Sequence, residues 1–238
     1  MRIQYQHMFF SALCFFLLIL VPSGVQAQNA KSARAFSLLS WEELPYDSVY
    51  YRNGSTMNKV KIKVGRRSES YPLPSDGKLE MFISEKDPEG KDKYKMIGQA
   101  TIMQGAKKML YVVVANKKAS SLPLSMFGIN DSIDVFPAGS FRFLNFTSVP
   151  IEGAFSGDVF RLQPGKTTVV KTKKLTGGSF HPFYLRTVKG VMLYETRLLG
   201  QPSGREIVFI MPPNNGSGRV NIKFLPQTVP RPEIGSNQ

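Results

Sequence analysis

The sequence predicts an all-β protein: two immunoglobulin-like β-sandwich domains behind a cleaved signal peptide. Apolar residues recur with period two or in short runs, and no twelve-residue window keeps a helical i, i+3, i+4, i+7 pattern between a cap and a stop. Turn signals punctuate those runs about every ten residues, the spacing of sandwiches and barrels. The chain of 238 residues is long enough for two small β domains or one large one.

The elements follow in chain order. Residues 1–27 read as a secretory leader. Arg2 supplies a positive start, Met8 to Val21 is apolar, Pro22-Ser23-Gly24 breaks the run, and Val25-Gln26-Ala27 ends in a small residue. The apolar run is shorter than the about 20 residues that span a bilayer. The mature chain is thus expected to start near Gln28, to have no transmembrane segment, and to be periplasmic or secreted. In Lys59-Val60-Lys61-Ile62-Lys63-Val64, lysines alternate with aliphatics as on a strand. Further strands are expected at Leu79–Ile83, Met96–Met103, Met109–Val114, Leu122–Phe127, Ile133–Phe136 and Phe141–Phe146. Others follow at Val159–Leu162, Thr167–Thr172, Phe183–Val188, Val191–Leu198, Glu206–Met211 and Val220–Leu225.

Asn53-Gly54, Ser75-Asp76-Gly77, Pro137-Ala138-Gly139, Pro164-Gly165, Lys189-Gly190 and Asn215-Gly216 mark turns. Ser84 to Lys95 is crowded with charge around Pro88-Glu89-Gly90, and reads as a solvated hairpin tip. A boundary near Gly128 to Ser132 divides the mature chain into domains at 28–130 and 131–225. Residues 226–238, rich in Pro, Gly and polar side chains, read as a flexible tail. Asp134-Val135-Phe136 and Asp158-Val159-Phe160 form a short repeat.

Composition narrows the chemistry. The single cysteine, Cys14, lies in the leader, as does His7, leaving His181 alone in the mature chain. That excludes disulfides, thiolate nucleophiles and cysteine metal sites from the mature protein. No cofactor or metal is expected. The chain holds 31 Lys and Arg against 17 Asp and Glu, a net charge of +14, of which only Arg2 falls in the leader. Such a balance suits a polyanion. Export turns the expectation from nucleic acid toward an envelope protein or an anionic glycan or lipid.

Candidate binding residues fall in two groups. Lys59, Lys61 and Lys63 would line one face of a strand about 6.5 to 7 Å apart, continued by Arg66 and Arg67. The plain alternative is an edge strand guarded by lysines against aggregation. Lys166, Lys171, Lys173 and Lys174 make a looser cluster. Trp41, Tyr46, Tyr50 and Tyr51 stand near Glu42, Glu43 and Asp47. Flat rings beside carboxylates suit a sugar, although aromatics fill cores more often. Asn130, Asp131, Ser132 and Asp134 lack the calcium-loop spacing and read as a linker. His181, before Pro182 among apolar neighbours, reads as structural. Gly-x-Ser-x-Gly does not occur, and no catalytic residue is assigned.

Phe136-Pro137-Ala138-Gly139-Ser140-Phe141-Arg142-Phe143-Leu144-Asn145, leading to Phe160-Arg161-Leu162-Gln163-Pro164-Gly165, resembles a pattern of uncharacterised secreted bacterial β-sandwich proteins. It covers about 40 residues and implies a fold and a compartment but no activity. In size, charge and strand content the chain is also similar to periplasmic pilus chaperones, which bind clients at a sheet edge. It lacks their N-terminal arginine strand and proline-rich signature strand. The expected function is a non-catalytic binding or assembly module of the bacterial envelope, working through sheet edges or basic faces. The alternatives are a carbohydrate-binding or carbohydrate-active sandwich, and a chaperone-like protein with a basic cleft between its domains.

Overall fold

The computed structural model describes residues 34–116, 122–171, 178–200, 202–213 and 219–229. The predicted leader lies outside them, as do Lys173, Lys174 and the Asn215-Gly216 turn. The described residues form strands and no helix. The first eight strands are β1 (Ala35–Ser40), β2 (Val49–Asn53), β3 (Thr56–Val60), β4 (Tyr71–Pro72), β5 (Lys78–Lys86), β6 (Asp92–Thr101), β7 (Lys108–Ala115) and β8 (Leu124–Asn130). The second eight are β9 (Ser140–Asn145), β10 (Ile151–Phe155), β11 (Asp158–Leu162), β12 (Thr167–Lys171), β13 (Phe180–Thr187), β14 (Met192–Leu199), β15 (Gly204–Met211) and β16 (Asn221–Thr228).

Four sheets of four strands result. The first half forms β3-β2-β5-β6 and β4-β1-β7-β8; the second forms β12-β9-β15-β16 and β11-β10-β13-β14. Three apolar layers lie between them. Phe36, Leu38, Met109 and Tyr111 meet Tyr51, Leu79, Met81 and Ile97 inside the first sandwich. Phe141, Phe143, Val208 and Ile210 meet Phe155, Phe160, Phe183 and Leu185 inside the second. The third layer joins the sandwiches: Leu39, Leu110, Val112 and Ile129 pack with Leu144, Ile207, Phe209 and Leu225 around Phe136. Sheets β4-β1-β7-β8 and β12-β9-β15-β16 are thus apolar on both faces. This is why Met109–Val113 and Ile207–Ile210 read as continuous apolar runs and not as alternating strands. The two sandwiches belong to one compact unit.

The halves repeat one topology. In each, the first strand pairs parallel with the seventh, Ala35 opposite Lys108 and Ser140 opposite Arg205. The five intervening strands supply the long crossover that parallel pairing requires. Each long hairpin slips register once, between Met81 and Phe82 and between Leu185 and Arg186. The core conserves a ring by moving it. Tyr51 and Gly153 hold the same place, opposite Met81 and Leu185. Gly153 leaves room for the Phe160 ring, which stacks on Phe143 at 4.5 Å.

Several sequence expectations need correcting. Ile133–Phe136 is a turn, closed by Phe136 N–H donating to the Ser132 carbonyl at 2.9 Å. β3 ends at Val60, so Lys61 and Lys63 lie beyond the strand. β16 continues through Pro226 to Thr228, three residues into the expected tail. Asp134-Val135-Phe136 lies in the linker and Asp158-Val159-Phe160 in β11, so this short repeat is not the structural one. Strands β1, β2, β4 and β10 were not anticipated.

Candidate functional site

Two connections in the first sandwich are longer than their counterparts in the second. Residues 41–48 join β1 to β2, against 146–150 between β9 and β10; residues 61–70 join β3 to β4, against 163–166 between β11 and β12. Both longer connections line one groove of about 680 Å³. Leu44, Tyr46, Ile62 and Tyr71 supply its apolar surface; Glu42, Glu43, Asp47, Lys59 and Lys61 supply charge.

Local hydrogen bonds hold this shape. Ser40 Oγ donates to the Glu42 carbonyl at 2.6 Å and accepts from Glu42 N–H at 3.2 Å, turning the chain out of β1. Glu42 Oε1 accepts from Ala115 N–H at 3.3 Å. The segment after Lys61 runs beside β1: Ser40 N–H donates to the Lys63 carbonyl at 3.1 Å, and Gly65 N–H to the Ser40 carbonyl at 2.8 Å. The Tyr71 hydroxyl accepts from Lys61 N–H at 2.9 Å and donates to Glu69 Oε2 at 3.2 Å. Burial raises the Tyr71 pKa, so the phenol stays a donor at neutral pH. Lys63 Nζ donates to Glu69 Oε1 at 2.6 Å and, as the largest influence, holds that carboxyl down at about 2. Glu43, Asp47, Lys59 and Lys61 form no ion pair with described residues, leaving two signs of charge available in the groove.

The structure separates the predicted residues. Lys59 and Lys61 reach the groove. Lys63 is neutralised by Glu69, and Arg66 is exposed on a bend. Arg67 points away, donating to both Asp131 oxygens at 2.8 and 3.1 Å and to Gln227 at 3.1 Å. The ordered row of ammonium groups is therefore not formed. Trp41 packs edge-on against Phe209 at 5.2 Å, with its Nε1 buried and unpartnered. Tyr51 is buried in the first core, and burial raises its pKa. Tyr50, on the opposite face of β2, meets the Tyr94 ring at 5.4 Å. Of the aromatic cluster only Tyr46 lines the groove. Tyr71, Leu44 and Ile62 were missed, because their roles depend on two distant connections converging.

A second polar assembly holds the linker. Asp131 is fully buried and receives Arg67 and Arg205, the latter at 3.3 Å. Arg142 donates to the Asn130 and Val135 carbonyls, and Arg205 to those of Asp131 and Phe136. The Arg142 and Arg205 guanidiniums each lie 4.6 Å from the Phe136 ring centre. Desolvation pushes the Arg142 pKa down to about 10, against the pull of Asp131. Both arginines stay charged at neutral pH.

His181 Nδ1 lies 2.9 Å from Ser156 Oγ. Ser156 (φ 52°) and Gly157 (φ 90°) form the two-residue turn of the β10–β11 hairpin, which needs positive φ at both places. The unusual serine backbone is thus a property of the turn. Among the described residues no carboxylate bonds His181, and no His, Cys, Asp and Glu group could hold a metal. No described helix is long and apolar enough to cross a membrane. Compared with known proteins, the chain matches no family model and no curated protein.

Proposed function

We propose that the protein is an exported, non-catalytic binding module of the cell envelope, and that its groove on the first sandwich takes a glycan. One observation carries the reading: the two connections lengthened relative to the internal repeat converge on the same groove. A repeated scaffold with extra loop at one place is a common way to build a binding surface. The chemistry selects the ligand class. Tyr46, Tyr71, Leu44 and Ile62 offer flat or apolar surface for sugar faces. Glu43 and Asp47 can accept from hydroxyls, while Lys59 and Lys61 can donate to them.

The mixed charge distinguishes this reading from a plain polyanion site, since Lys63 and Arg67 are already engaged by Glu69 and Asp131. Calorimetry with a panel of neutral and acidic oligosaccharides tests it. A neutral oligosaccharide should bind with little salt dependence, and Tyr46→Ala should weaken that binding about tenfold or more. Binding restricted to acidic glycans, with affinity collapsing as salt rises, would replace this reading by a polyanion site. No saturable binding by any member would refute it. Trp41 fluorescence is the wrong reporter, because the indole packs on Phe209 and not in the groove.

A further inference from the structure

The internal repeat identifies a second place where the halves diverge. Register places Met109 of β7 and Glu206 of β15 at the same site. In the first sandwich, residues 102–107 join β6 to β7, and Ile102 and Ala106 fill that end beside fully buried Met109. In the second, only residues 200–203 join β14 to β15. A cavity of about 420 Å³ remains, bounded by Phe141, Leu198, Phe224, Arg197 and Glu206. Its volume lies within the about 300–1,000 Å³ of small-molecule sites.

Neither of its two charges has a counter-ion among the described residues; Glu206 is half-buried and Arg197 is exposed. The Glu206 carboxyl has no hydrogen bond and no cation among the described residues, and burial raises its pKa. Arg197, on the β14 wall of the same cavity, pairs with no described carboxylate. Where the first repeat has a methionine, the second thus has a half-buried carboxyl in a cavity that Phe141, Phe224 and Arg197 also line. A carboxyl desolvated without a partner lowers stability, and a ligand cation can offset that cost. We propose that this cavity binds a small zwitterion with an apolar body, an apolar α-amino acid in its chemistry. Glu206 receives the ammonium, Arg197 the carboxylate, and Phe141, Leu198 and Phe224 the side chain.

The probe is L-phenylalanine, compared by calorimetry and amide NMR with phenethylamine, which lacks the carboxylate, and 3-phenylpropionate, which lacks the ammonium. L-phenylalanine should bind saturably, and each truncated analogue about tenfold or more weakly. Glu206→Gln should weaken L-phenylalanine and phenethylamine but not 3-phenylpropionate; Arg197→Gln should weaken L-phenylalanine and 3-phenylpropionate but not phenethylamine. Glu206→Met restores the residue of the first repeat and should abolish binding while raising the melting temperature. No saturable binding up to about 10 mM, or folded Glu206→Gln and Arg197→Gln variants that bind as the parent does, would overturn the proposal. The groove of the first sandwich plays no part in these readings, so failure there leaves them intact.

Discussion

Replacing Asp131 by asparagine should strongly destabilise the protein. The side chain is fully buried and balances Arg67 and Arg205, with Arg142 close enough to feel its charge. Asparagine keeps the size but removes the charge, leaving three guanidiniums gathered without a carboxylate. Breaking a buried pair by removing one partner costs about 3–5 kcal/mol. For a protein of this size each kcal/mol shifts the melting temperature by about 2–4 °C. The expected loss is therefore about 6–20 °C in a calorimetric or circular dichroism melt, with the urea midpoint falling in step. Asp134→Asn is the control, since Asp134 is exposed on the same linker and should change stability by less than about 0.5 kcal/mol. An Asp131→Asn protein that melts within about 2 °C of the parent would refute the reasoning. The linker would then be held by Phe136 and its carbonyl contacts alone.

Three other predictions follow from the same structure. A Cβ at Gly153 would lie 2.4 Å from Phe160 Cζ and 2.9 Å from Leu185 Cδ2, so Gly153→Ala should cost about 1–3 kcal/mol in urea unfolding; adding Phe160→Leu should recover part of it. NMR titration should place the Glu69 carboxyl at about 2, and Lys63→Gln should return it toward the ordinary range. Glu206, raised by burial, binds its proton more tightly folded than unfolded. Its contribution is present below its ordinary value of 4.5 and is lost as pH rises through the raised value. Stability of the parent relative to Glu206→Gln should therefore fall as pH rises through that window; a flat difference between the two denaturation curves would contradict the burial of this carboxyl.

Much of the fold was legible because the strand period is local. The charged tip around Pro88-Glu89-Gly90, the Pro164-Gly165 turn and the runs at Met109–Val114 and Glu206–Met211 all declared themselves. β4 could not, being two residues long, and β10, Ile-Glu-Gly-Ala-Phe, breaks its pattern with a glycine that exists to admit Phe160. Ile133–Phe136 misled because three apolar residues in four resemble a strand, although they serve a turn whose Phe136 plugs the layer between sandwiches. The site was half legible. Lys59, Lys61, Tyr46, Glu42, Glu43 and Asp47 carried a visible signal. Trp41 and Tyr51 carried the same one, and their fate depended on which face of a sheet they met.

The sequence by itself determined the strand content, most turns and the surplus of positive charge, because each depends on near neighbours and on composition. The tertiary structure alone decided that both halves share one topology and that two long connections converge on a groove. It alone paired Arg67 with Asp131, 64 residues away, and turned Glu206 toward a cavity. The physical reason is register. A strand's pattern says which residues share a face, but only pairing across the sheets says what that face meets.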